Sequence, residues 1–199
     1  MDLKSLRNTV KKLRYVLVFL IVIGFSFGAW NLLFSKDNYI PASFTDARRA
    51  SAIIGEQIVG LSSASSDQIK EIQKLEQNKK YSDALDAVMA EKKRVADMRD
   101  QGSKLLTGLS AMTQSVSEIK PEAARTAALQ AINYETGIVN HLLAYNELLE
   151  ALLQLMTARI LYGVNTTANF NDTIIKINGE ISAINDLNSK FTEAISGLK

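Results

Sequence analysis

Hydrophobic and polar positions divide this chain into one unbroken apolar run followed by four stretches of helical periodicity. The run, Tyr15 to Phe34, holds 20 residues without a charge. About 20 mainly apolar residues suffice for a helix to cross a bilayer, so the run predicts a transmembrane helix. Beyond it, Ile54, Ile58, Leu61, Ser65, Ile69, Ile72 and Leu75 recur at steps of three and four, the seam of an amphipathic helix ending near Gln77. Gly55, Gly60 and the serine-rich segment after Leu61 weaken that helix locally and predict a kink near Leu61–Ser66.

Asn78-Lys79-Lys80 reads as a polar turn, with Ser82 as cap of a second helix and Asp83 in its first turn. The second seam runs through Tyr81, Leu85, Val88, Lys92, Val95, Arg99, Gly102, Leu106, Leu109, Thr113 and Val116, and its middle is polar. A third helix begins at Pro121, because proline suits the first helical position. Its apolar residues from Leu142 through Tyr145, Leu148, Leu152, Leu155 and Met156 to Ile160 cover an arc of roughly 200°, where a surface helix needs a little over about 100°. Gly163 to Asp172 is rich in turn and cap residues. The last helix follows with Ile174, Ile177, Ile181, Ile184, Asn188, Phe191, Ile195 and Leu198 in heptad spacing.

These patterns predict an all-α chain: an N-terminal transmembrane helix followed by an antiparallel four-helix bundle outside the cytoplasmic membrane. The expected divisions are a basic cytoplasmic tail (1–14), a signal-anchor span (15–34), a linker (35–44) and a bundle (45–199). The bundle helices fall at about 45–77, 82–118, 121–162 and 171–197, and their short linkers make neighbours antiparallel. Both ends of the bundle then lie at the membrane end. Orientation follows from Lys4, Arg7, Lys11, Lys12 and Arg14 before the span, since positive flanks stay in the cytoplasm. A cleavable signal peptide is the rival reading, with Ser26 and Gly28 before a possible cut at Ala29. Apolar residues continue past that point through Phe34, and Tyr15 and Trp30 suit the two interfaces, so retention is the expectation.

Charge narrows the partners. Of 23 Lys and Arg, five precede the span, and of 21 Asp and Glu only Asp2 does. The 165 residues after Phe34 therefore carry 18 basic and 20 acidic groups, a net of −2. Such a mixed surface lacks the clustered positive face that nucleic acid requires. No cysteine is present, which removes disulfides, thiol nucleophiles and thiolate metal sites.

Candidate chemistry is thin. His141 is the only histidine, so no His-based metal cluster or cofactor site is expected, and it reads as a hydrogen-bonded or surface residue. Glu135, Glu147 and Glu150 could pair as acid and base, yet Glu147 and Glu150 share the polar arc with Gln154 and Thr157 and read as solvated. No Glu-x-x-His pair, glycine-rich phosphate loop or nucleophile elbow occurs. Lys92 and Arg99, polar in the second seam, are register devices, an anion site or side chains reaching the surface. Gly24 and Gly28 form a GxxxG step that lets two membrane helices approach. Asn165-Thr166-Thr167 and Asn171-Asp172-Thr173 match glycosylation sequons.

Lys79 to Ala87 (KKYSDALDA) resembles a helix start in tetratricopeptide repeats, without the recurrence at ~34 residues that such arrays show. The layout as a whole resembles the extracytoplasmic four-helix-bundle sensor modules of bacterial chemoreceptors, and in plan the LemA-like proteins. It departs from the receptors in lacking a second span and a signalling region after Lys199, so a sensor role would need a separate signalling partner. The expected function is a non-enzymatic, membrane-anchored scaffold or interaction protein. It would bind lipid through residues 15–34 and a protein partner or its own copy through helical faces, with Tyr145, Leu148, Leu152, Leu155 and Met156 as the candidate face. The alternative is a ligand-binding module holding a small apolar or amphipathic molecule between helices near Leu142–Met156.

Overall fold

The computed structural model describes residues 39–196, with side chains described through residue 194. The basic tail, the span at 15–34 and its Gly24/Gly28 step lie outside the described residues. Four helices make up the rest: α1 (Ala42–Gln77), α2 (Tyr81–Ser115), α3 (Glu122–Tyr162) and α4 (Thr167–Ser196). A single 3-10 turn, Val116–Glu118, follows α2, and no strand occurs among the described residues. Among them no helix is long and apolar enough to cross a membrane.

Cross-helix contacts fix the directions. Ser62 Oγ donates to Met98 Sδ at 3.3 Å while Ser51 faces Gly108, so α1 and α2 run antiparallel. Arg99 pairs with Glu147 while Gly102 meets Leu143, and His141 pairs with Glu180 while Gly137 meets Leu187. The same reversal therefore holds for α2 with α3 and for α3 with α4. The closest approaches are α1 to α2, α3 to α4 and α2 to α3. One apolar core joins side chains from all four helices, from Phe44 and Ile58 on α1 to Ile181 and Phe191 on α4.

Helix ends differ from the sequence reading for local reasons. The first helix opens at Ala42 because Pro41, at φ −59°, leaves its carbonyl to accept the Thr45 N–H at 3.1 Å. Ser82 does not cap α2: the helix begins at Tyr81, and the Lys80 carbonyl accepts the Ala84 N–H at 3.0 Å. The last helix opens at Thr167 rather than near 171. Asn165 Oδ1 accepts the Thr167 N–H at 3.2 Å, the Thr166 carbonyl accepts the Phe170 N–H at 2.8 Å, and the Phe170 ring is buried. Gly163 closes α3 at φ 62°, a left-handed position that glycine occupies without a Cβ clash.

Packing moves two seams. On α2, Val88, Val95, Gly102 and Leu109 are buried as expected, but Glu91, Met98, Leu105 and Met112 complete the face instead of Lys92, Arg99, Leu106 and Thr113. Both patterns alternate three and four, so periodicity alone does not choose between them. Burying a side chain of Met or Leu size is worth about 1.5–3 kcal/mol, so Met98, Leu105 and Met112 outweigh the burial of one carboxyl. On α1, Ile54, Leu61 and Leu75 are only half-buried, while Ser51, Gly55, Ser62 and Ser66 face inward. These small residues let α2 come close, and α1 stays one continuous helix through the serine-rich segment. The α4 seam from Ile174 through Phe191 is buried as read.

The chain enters beside the α2–α3 connection. Tyr39 and Lys120 exchange backbone hydrogen bonds of 2.9 and 3.0 Å, next to a cis peptide at Lys120–Pro121. That proximal end also receives the C-terminus of α4. The distal end is formed by the turns at 78–80 and 163–166.

Candidate functional site

The interior stretch of α3 that carries the candidate face is inside the protein. Tyr145, Leu152 and Met156 are each no more than 1% exposed, and Leu148 and Leu155 are half-buried. The wide apolar arc is explained by neighbours within the chain, because α3 packs on both α2 and α4. Its surplus does not form an open face.

Polar residues mark the core where the seams change. Glu91 is 0% exposed, and Arg94, three residues on, forms an ion pair with it while also donating to the Ala64 carbonyl at 3.3 Å. Burial pushes the Glu91 carboxyl up, while the neighbouring Arg94 charge pulls it back. Burial also pushes the Tyr145 phenol up, and the Glu91 charge adds to that rise. Glu135 is buried rather than paired with Glu147 or Glu150, and its charge reaches Arg48 on α1. Glu135 thus stands apart from Glu147 and Glu150, which share one wall of a groove between α2 and α3.

His141 behaves as a bracket between helices: its Nδ1 lies 2.7 Å from Glu180 Oε2. No group of three His, Cys, Asp or Glu that could hold a metal ion occurs among the described residues.

Concavities among the described residues include two that adjoin α3. The first, about 450 Å³, runs between α2 and α3 and is lined by Lys92, Val95, Ala96 and Arg99 on one side and Asn146, Glu147 and Glu150 on the other. It forms where Ala96 gives little side chain between the two cations. The structure therefore does bring Lys92 and Arg99 to one place, as the polar seam implied, but beside carboxylates rather than alone. Arg99 Nη2 is 3.4 Å from Glu147 Oε1 with both side chains largely exposed, a pair worth no more than about 1 kcal/mol. Asn146 is 1% exposed, and neither its Nδ2 nor its Oδ1 has a hydrogen-bond partner.

The second, about 390 Å³, lies at the distal end among Gln73, Tyr81, Ile160 and Gly163. An ion pair between Glu76 and Arg159 joins α1 to α3 there, and the Arg159 guanidinium sits 5.2 Å from the Phe170 ring centre, within cation–π range. At this end of the bundle Tyr81, Leu161, Tyr162 and Val164 are exposed, Tyr162 at 76%.

The sequence held signals for the residues missed. Asn146 lies in the series Leu142, Asn146, Leu149, Leu153, and Glu91 in Val88, Glu91, Val95, Met98. Each polar residue stands at a helix step otherwise filled by apolar ones, which marks burial more directly than charge does. Comparison of the chain with known protein families, with characterised proteins and with solved structures finds no match.

Proposed function

We propose that this protein is a membrane-anchored, non-enzymatic scaffold whose helical bundle stands outside the cytoplasmic membrane and offers its distal end to a protein partner or a second copy. Residues 15–34 are the anchor in this reading, bound to lipid with the basic tail inside. The observation that carries it is polarity of the bundle. The chain enters at Tyr39, five residues after Phe34, and is tied to Lys120 at the end where α4 also finishes. The opposite end exposes Tyr81, which lines a concavity there, together with Leu161, Tyr162 and Val164. Tyrosine is enriched at protein interfaces, and exposed tyrosines beside exposed apolar side chains at the end far from the anchor support presentation to a partner. The near-neutral bundle argues for protein rather than nucleic acid.

A photo-crosslinking residue at Tyr162 tests this in native membranes. A discrete crosslinked product is expected, absent when the same group replaces exposed Glu193 near the proximal end. Equal, diffuse labelling at both positions would overturn the reading. An apolar ligand between the helices near Leu142–Met156 is less supported, because those side chains pack on one another and on neighbouring helices.

A further inference from the structure

The α2–α3 groove contains three polar groups without partners among the described residues: the half-buried Lys92 ammonium, the exposed Glu150 carboxylate and the buried Asn146 amide. A buried amide with neither hydrogen bond satisfied is costly, and it stands in the wall of an open concavity rather than in a dry core. Charge decides what the groove could hold. Lys92 and Arg99 bring two positive charges, and Asp100, Glu147 and Glu150 bring three negative ones. A simple anion meets the carboxylates, and a simple cation meets Lys92 and Arg99. Arg99 and Asp100 are already engaged, with Glu147 and Lys104 respectively. That leaves one free cation and one free anion, on opposite walls, with Val95 and Ala96 between Lys92 and Arg99.

We infer that this groove binds a small zwitterion, its carboxylate held by Lys92, its ammonium by Glu150 and its short carbon body over Val95 and Ala96, with the buried Asn146 amide in the wall behind it as a reporter of occupancy. The groove, at about 450 Å³, has ample room for such a molecule together with its water. This assignment does not depend on the scaffold reading, since it concerns the side of the bundle and not its distal end.

The test follows the Asn146 side-chain amide by nuclear magnetic resonance in the full-length protein in mild detergent, the signal being assigned by its loss in Asn146→Leu. The probes are glycine, β-alanine and γ-aminobutyrate, which differ in charge separation, with butyrate and butylammonium as single-charge controls at equal ionic strength. One zwitterion should shift the amide saturably with a Kd of about 1 mM, as few contacts allow. Lys92→Gln and Glu150→Gln should each weaken it by about tenfold, the loss of one contact near 1.4 kcal/mol, while Lys93→Gln leaves it unchanged. Absence of a saturable shift, meaning that water alone fills the groove, overturns the inference. So does equal binding of butyrate or butylammonium, or indifference to both substitutions.

Discussion

Substitution of Met98 and of its neighbour Arg99 separates the packed face of α2 from the face that the sequence pattern equally allowed. Met98 is 0% exposed and its sulfur accepts a hydrogen bond from Ser62 across the α1–α2 interface. Met98→Ala removes three heavy atoms; at about 0.8 kcal/mol for each buried methylene equivalent, the transfer loss alone is about 2.4 kcal/mol. The cavity left beside Ser62 raises this, so the expected total is about 2.5–5 kcal/mol. Arg99→Ala removes an exposed pair with Glu147 and should cost less than about 1 kcal/mol. Urea unfolding of the full-length protein in mild detergent, followed by helical circular dichroism, measures both. An Arg99→Ala cost equal to or above that of Met98→Ala would show that α2 is rotated toward the Lys92–Arg99 seam, and the groove would vanish with it.

Glu91→Gln should change how stability depends on pH. Burial raises the folded carboxyl pKa above the unfolded value of about 4.3, so Glu91 favours the fold fully below that value and loses this contribution as pH rises through the folded pKa. Wild type should therefore lose stability relative to the variant as pH climbs from about 4 through that window, and a difference constant with pH would contradict the cause assigned. Asn146→Leu should raise stability by about 1–3 kcal/mol in denaturant melts without added ligand, because an unsatisfied buried amide is replaced by a side chain of similar shape; destabilisation would mean that the amide has a partner. Gly163→Ala should cost about 1–2 kcal/mol, since a Cβ is disfavoured at φ 62° although space around it is open.

The four-helix architecture was legible because long stretches of three-and-four spacing, few prolines and short polar turns all point the same way. The α4 seam was readable from Ile174 to Phe191, where isoleucines at 174, 177, 181 and 184 line one face, while Ile195 and Leu198 lie outside the described side chains. The α2 seam was not, because Val88, Val95, Gly102 and Leu109 belong to both possible stripes and only the partner helices choose between them. Serines on α1 were misjudged for a related reason. Their hydroxyls suggest a weak, bent helix, whereas their small size is what α2 packs against. Residues grouped by the groove come from two helices, so no local window contains Lys92 and Asn146 together. The surplus apolar arc of α3 gave the wrong image of an outward face, since a helix packed on two neighbours needs a wider stripe than one on the surface.

The placement of the bundle relative to the membrane is the claim on which the proposed function rests, and the absence of native cysteine makes it directly measurable. A single cysteine at Tyr162, 76% exposed at the distal end, and another at Lys4 in the basic tail can be compared for labelling by a membrane-impermeant maleimide in intact cells or spheroplasts. The account predicts labelling at position 162 before lysis and at position 4 only after it. Protection of position 162 until lysis would place the bundle inside and contradict the account.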